Sequence, residues 1–175
     1  MMDLMNATNG SSSLILMCFL AAAAASDIHS RRIPNVLVVI MLVCGLLLHM
    51  AYLGGTGILT ALSGVLLGFA ILIPFYAFGA LGAGDVKLLS GAGAFLGGWG
   101  VAIAACATLL VGGLLGLAVI FWQRIGAVLT ARFFSVPSTL AATTDAVTIP
   151  YSIAIAAGSL VAIYQFEAVT SLFFS

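Results

Sequence analysis

Two aspartates stand out because each lies at the edge of an apolar stretch in a chain that has few other charges. Asp27 follows the apolar run 14–25, and Asp85 precedes the run 86–96. Two carboxyl groups brought together in a low-dielectric site share one proton, because like charges oppose simultaneous ionisation. The ionised partner can draw a proton from water while the protonated partner hydrogen-bonds a peptide carbonyl oxygen. Such a pair hydrolyses a peptide bond without a metal or a covalent intermediate.

The composition indicates that lipid surrounds most of this chain. Of its 175 residues, 63% are hydrophobic and 6% are charged, whereas a soluble domain carries charge at about a quarter of its positions. We therefore expect an all-α integral membrane protein, with residues 1–175 forming a single polytopic domain. The net charge is zero and the sequence has no basic run, so nucleic acid is not an expected partner.

Apolar runs and glycine breaks predict about six transmembrane helices. Breaks are expected at Gly54 and Gly55 and at the glycines after residue 96, and a more polar stretch covers 123–145. The first run lacks a preceding basic segment, so it is interpreted as a membrane helix and not as a cleaved signal peptide. The predicted spans are 11–26, 36–53, 58–78, 85–96, 101–122 and 147–166.

The positive charges predict how the spans are oriented. In the six-span arrangement, every lysine and arginine lies in or beside a loop on one side of the membrane. These residues are Arg31, Arg32, Lys87, Arg124 and Arg132. The positive-inside rule makes that side cytoplasmic, with both termini outside.

The first and fourth spans are too short to cross the hydrocarbon, which takes about 20 apolar residues. Each reaches a workable length when its neighbouring aspartate is drawn into the helix. Asp27 and Asp85 would then lie at or just below the cytoplasmic membrane surface, where ionisable groups are costly and a functional role is the default hypothesis. The alternative is that both residues cap helix ends in water.

Other residues are expected to be structural. The three cysteines, none of them at a metal-ligand spacing, are interpreted as small buried hydrophobes. Three G-x-x-x-G pairs are interpreted as helix-packing positions. No H-E-x-x-H segment occurs, and neither a metal nor a cofactor is expected. The cysteines are Cys18, Cys44 and Cys106, and the pairs are Gly64/Gly68, Gly93/Gly97 and Gly112/Gly116.

Three segments resemble the type IV prepilin peptidase family. Residues 26–35, S-D-I-H-S-R-R-I-P-N, look like the family's D-x-x-x-x-R-I-P-N segment. Residues 82–88, G-A-G-D-V-K-L, look like its G-x-G-D-x-K segment, and 149–154, I-P-Y-S-I-A, resemble the stretch that opens its last helix. The three segments occur in the family's order and span nearly the whole chain.

The resemblance implies that Asp27 and Asp85 are the two catalytic aspartates. It implies that Gly82 and Gly84 let the backbone near Asp85 bend and approach the substrate. Lys87 would either tune the nearby aspartate or reach the lipid head groups.

The same resemblance gives Arg31 and Arg32 a place at the anionic membrane surface, with substrate contact as the alternative. Pro34 and Asn35 would shape the entry to the second span. The long form of the family carries paired C-x-x-C zinc motifs tied to N-methylation, and this chain has none. It therefore looks like the short, peptidase-only form, similar to those serving Flp/Tad-type pili or archaeal flagellin-like proteins, and methyltransferase activity is not expected.

The implied substrate is a prepilin with a basic leader and a hydrophobic helix, cut between the two on the cytoplasmic side of the inner membrane. The bilayer and the pilus assembly machinery are the other implied partners. Two alternatives stay open. A catalytically inactive subunit of a pilus or secretion assembly would leave prepilins uncut, and a small ion-coupled carrier would move ions across liposomes.

Overall fold

A computed structural model describes residues 2–30, 33–133 and 151–174, and nearly all of these residues lie in α-helices. The described part of the chain contains no strand. In chain order, the helices are α1 (Met2–Ser30), α2 (Asn35–Leu53), α3 (Gly55–Ala77), α4 (Ala83–Phe133) and α5 (Tyr151–Phe174).

Glycine and proline set the helix boundaries near the predicted breaks. Pro34 precedes α2, where its fixed φ suits the start of a helix. Gly54 separates α2 from α3 with φ 61°, a left-handed conformation that costs glycine little. Gly79, with φ 72°, turns the chain between α3 and α4.

Helix α4 folds back on itself at Gly97, where φ is 67° and ψ −178°. A Cβ placed on Gly68 would lie 3.2 Å from the Ser90 Cα and 3.1 Å from a Val101 methyl. In a straight helix, Ser90 and Val101 would be about 16 Å apart. The chain therefore reverses at Gly97, as the sequence predicts for this glycine cluster. Residues 83–96 are the first arm of α4, and residues 98–133 are its second arm.

The first arm is the central helix of the bundle. Every residue from Leu88 to Phe95 is buried, and a helix that is apolar all round belongs in an interior. Its small residues allow close approach: Gly93 packs against the backbone of Gly64 in α3, and Ala94 contacts Gly45 in α2. The first two G-x-x-x-G pairs thus lie at one helix–helix contact.

Helix α5 runs antiparallel to the second arm and also contacts α1. Near its start, the Tyr151 ring packs on Gly112, and further along Gly158 packs on Ala104 and Thr108. Later residues of α5 thus contact earlier residues of the second arm. The start of α5 therefore lies at the same end of the bundle as the start of the first arm.

Within the described ranges, four helices are long and apolar enough to cross a membrane: Gly10–Ser30, Asn35–Leu53, Gly55–Ala77 and Ala83–Val119. The last includes the reversal at Gly97, and Tyr151–Gln165 is a shorter apolar helix. Large apolar side chains point outward, Leu66 and Leu110 among them. The chain is thus a helical membrane protein, while six spans and their orientation remain predictions.

Three details differ from the expectations. Helix α4 continues to Phe133, so Arg124 and Arg132 lie on a helix and not in a loop. Cys18 and Cys106 are exposed on outer helix faces, because an apolar side chain need not be buried where the surroundings are apolar. Helix α5 begins at Tyr151 and extends to Phe174, beyond the predicted end at residue 166; the predicted start at residue 147 lies outside the described residues.

Candidate active site

The two sequence-predicted aspartates lie at one end of the helix bundle. Asp27 is in the last turn of α1, and Asp85 is in the first turn of α4. The end of α3 and the starts of α2 and α5 lie at the same end. A chain that alternates direction from helix to helix brings these termini together although they are distant in sequence.

Asp27 is half-buried and occupies a position that helix stability does not favour. Helix α1 continues to Ser30, so Asp27 does not cap its start. It lies near the C-terminus, where the helix dipole disfavours negative charge. Its Oδ2 accepts a 2.6 Å hydrogen bond from the Ser152 hydroxyl at the start of α5. The capping alternative therefore does not explain Asp27.

Asp85 is half-buried as well, and it does have a capping contact. Its Oδ2 accepts a hydrogen bond of 3.1 Å from the backbone N–H of Gly82. In this type of helix capping, an acidic side chain in the first turn accepts a hydrogen bond from the N–H of the residue that precedes the helix. The contact leaves Oδ1 of Asp85 without a hydrogen-bond partner among the described residues.

The two carboxyl groups lie near enough to interact electrostatically. Tyr151 belongs to the same group, because it also interacts electrostatically with Asp85. The Tyr151 hydroxyl donates a 3.4 Å hydrogen bond to the backbone carbonyl of Thr108. Each aspartate thus has a neighbour from the first turn of α5, Ser152 for Asp27 and Tyr151 for Asp85.

Lys87 is exposed. Its observed contact is neither of the two that were expected, the nearby aspartate or the lipid head groups. Its Nζ donates a 3.0 Å hydrogen bond to Oδ1 of Asn35, the first residue of α2. Within the described part of the chain, it makes no ion pair with either aspartate. Lys87 therefore links the first arm of α4 to the start of α2.

The two aspartate-containing segments also touch through apolar contact. A Cβ placed on Gly84 would lie 3.4 Å from the Ile33 side chain. Neither Gly82 nor Gly84 has a positive φ, and the left-handed glycine of this connection is Gly79. A Cβ on Gly84 would thus make an ordinary van der Waals contact with Ile33, and Gly79 provides the turn. Arg31 and Arg32 lie outside the described residues.

Sequence reasoning missed Ser152 and Tyr151 as neighbours of the aspartates. The I-P-Y-S segment indicated that the last helix starts there, but no local spacing links Ser152 to Asp27 across 125 residues. Gly79 was missed because it lies among several glycines, and sequence does not show which of them turns the chain.

This arrangement has the parts that acid–base hydrolysis needs. Two carboxyl groups of separate helices interact at one end of the bundle, and one oxygen of each is held by a protein donor. No described residue donates a hydrogen bond to the other oxygen of either carboxyl group. Metal-free hydrolysis by paired carboxyl groups uses such a geometry.

Comparison with known proteins identifies one family. Neither the curated proteins nor the solved structures give a match to the chain. The model of the type IV leader peptidase family matches residues 14–121, which is more than half of the chain and includes both aspartates. The chain belongs to the type IV leader peptidase family.

Proposed function

We propose that this protein is a membrane-embedded aspartic endopeptidase that removes the N-terminal leader of type IV or Flp-like prepilins. Asp27 and Asp85 are the catalytic pair, and cleavage takes place at the cytoplasmic face of the inner membrane. The observation that supports this most directly is that the two half-buried aspartates lie at the same end of the bundle, near enough to interact electrostatically. Membership of the family supports the peptidase class.

In the proposed reaction, one aspartate is ionised and the other is protonated. The ionised aspartate takes a proton from water as the water oxygen bonds to the scissile carbonyl carbon. The protonated aspartate gives its proton to the carbonyl oxygen, so charge does not build up there. When the intermediate collapses, the C–N bond breaks, one of its hydroxyl groups returns a proton to the second aspartate, and the leaving amine takes the proton held by the first.

The membrane location fits the substrate class. A prepilin helix lying in the bilayer beside α1 and α4 presents the junction with its leader at the depth of the aspartates. A basic leader is attracted by two nearby carboxyl groups and by anionic lipid head groups. The site then acts on the bond between the water-exposed leader and the lipid-embedded helix.

Replacing either aspartate tests the proposal. We expect Asp27→Asn and Asp85→Asn each to lower the rate of leader removal by at least about a hundredfold, because each removes an acid–base group. Co-expression with candidate prepilins, read as a gel shift of the pilin, measures the loss. Purified protein in detergent then shows whether the chain itself cleaves the leader.

Membrane insertion of both variants is the control for this experiment, because Asn is close in size to Asp. If a variant is inserted normally and still removes the leader fully, the aspartate replaced in it is not catalytic. Purified wild-type protein that cuts no prepilin would favour the inactive assembly subunit.

A further inference from the structure

Ser152 has an unusual position for a serine in an apolar helix. It lies in the first turn of α5, its side chain is fully buried, and its hydroxyl donates to Asp27 rather than to its own helix. Ser90 shows the common arrangement, with its hydroxyl bonded to the carbonyl of Val86 one turn earlier. Ser152 instead makes a short contact of 2.6 Å to a carboxyl oxygen of another helix, as in charge-assisted hydrogen bonds.

The contact fixes one degree of freedom of Asp27. A carboxyl group rotates readily about its last side-chain bond, and the donor on Oδ2 selects one orientation. Asp85 is held in the same way by the Gly82 N–H on its own Oδ2. Each carboxyl group therefore has one oxygen held by the protein and a second one directed elsewhere.

We propose that Ser152 is a positioning residue, which holds Oδ2 of Asp27 so that Oδ1 is the oxygen presented to the hydrolytic water. This inference rests on the proposed function. Ser152 would speed the reaction by orienting the Asp27 carboxyl group, because a group already held in the reactive geometry avoids an entropic cost at the transition state. Ser152 lies outside the residues matched by the family model, so the last helix completes a site that the matched region begins.

The kinetic test compares Ser152→Ala with Ser159→Ala. Ser159 is the matched control: it is two turns along α5, is fully buried, and its hydroxyl has no hydrogen-bond partner in the described part of the chain. We expect Ser152→Ala to lower kcat for leader removal about ten- to a hundredfold, with KM unchanged. Ser152→Cys, which keeps a weaker donor, should fall between Ala and Ser. Ser159→Ala should keep the wild-type kcat.

A spectroscopic measurement tests the contact independently of cleavage. The chain has five acidic side chains, so the carboxyl bands of its infrared spectrum are few. The Asp27 band, assigned by its loss in Asp27→Asn, should shift in Ser152→Ala and stay in place in Ser159→Ala. This readout also applies to a variant whose activity is too low to measure.

Two results would overturn the inference: an Asp27 band that does not move, or a kcat in Ser152→Ala equal to that of Ser159→Ala. A rise in KM alone would also contradict positioning. Wild-type protein that cleaves no prepilin would count against the proposed function, while the infrared experiment would still decide whether Ser152 holds Asp27.

Discussion

At the scale of single residues, the two aspartates differ in their effect on the stability of their own helices. Asp85 stabilises the start of α4 by accepting the Gly82 N–H, so its presence has a structural reason in addition to the proposed catalytic one. Asp27 has no such reason, because it lies where the dipole of α1 opposes its charge. Its presence at a half-buried position is therefore the stronger single indication of a functional role.

Lys87 gives a residue-scale prediction because its hydrogen bond to Asn35 is a link between helices. If that link is its role, Lys87→Met and Asn35→Ala should lower the free energy of unfolding by similar amounts of about 1 kcal/mol. The double variant should be no less stable than either single variant. Unfolding in mixed micelles, followed by circular dichroism, measures all three.

Additive effects of the two substitutions would contradict this link. Loss of cleavage in Lys87→Met, with activity kept in Asn35→Ala, would instead show that Lys87 tunes the neighbouring aspartate.

At the scale of helices, the sequence predicts breaks well where a glycine is forced to a positive φ between apolar runs. Gly54 and Gly97 are such positions, and both predicted breaks are confirmed. Helix ends inside polar stretches are harder to predict. Helix α4 passes through Arg124 and Arg132 because charged residues with long side chains are good helix formers. Contacts between distant helices, such as Ser152 with Asp27, depend on how the helices pack and leave no local pattern.

The contact between α3 and the first arm gives a prediction at the scale of helices. A Cβ on Gly93 would collide with the backbone carbonyl of Gly64, and backbone cannot move aside as a flexible side chain does. We expect Gly93→Ala to lower the free energy of unfolding by about 2 kcal/mol or more. Gly116→Ala is the control, because a Cβ there meets nothing within 4 Å, and it should be neutral or slightly stabilising.

Unfolding of the two alanine variants in mixed micelles tests this difference. Equal stability of Gly93→Ala and wild type would mean that α3 and the first arm do not approach as closely as described.

At the scale of the whole molecule, all described features of the site lie at one end of the bundle. Asp27, Asp85 and the link between Lys87 and Asn35 are there, and the turn between α2 and α3 is at the opposite end. The positive-inside rule predicts that the site end is cytoplasmic. The proposed function requires this orientation, because the leader is cut on the side of the membrane where the aspartates lie.

Single cysteines introduced at the two ends test that polarity in a variant without Cys18, Cys44 and Cys106. His29 is exposed at the site end, and Gly55 is exposed at the opposite end with open space around it. A membrane-impermeant maleimide should label His29→Cys in inverted vesicles and Gly55→Cys in intact spheroplasts. The reverse pattern would place the site outside the cell and contradict the proposed cytoplasmic cleavage.

The reversal at Gly97 bears on the thickness of the lipid around the enzyme. With a rise of about 1.5 Å per residue, the first arm is about 20 Å long, against a hydrocarbon thickness of about 30 Å. Trp99 follows the reversal with 78% of its surface exposed, and tryptophan prefers the lipid–water boundary. If Trp99 marks the outer boundary of a bilayer of normal thickness, Asp85 lies about 10 Å below the inner boundary of the hydrocarbon. A short hydrophobic span of this kind is accommodated when the bilayer becomes thinner around it. Local thinning of the bilayer would bring water to the aspartates, and hydrolysis needs that water.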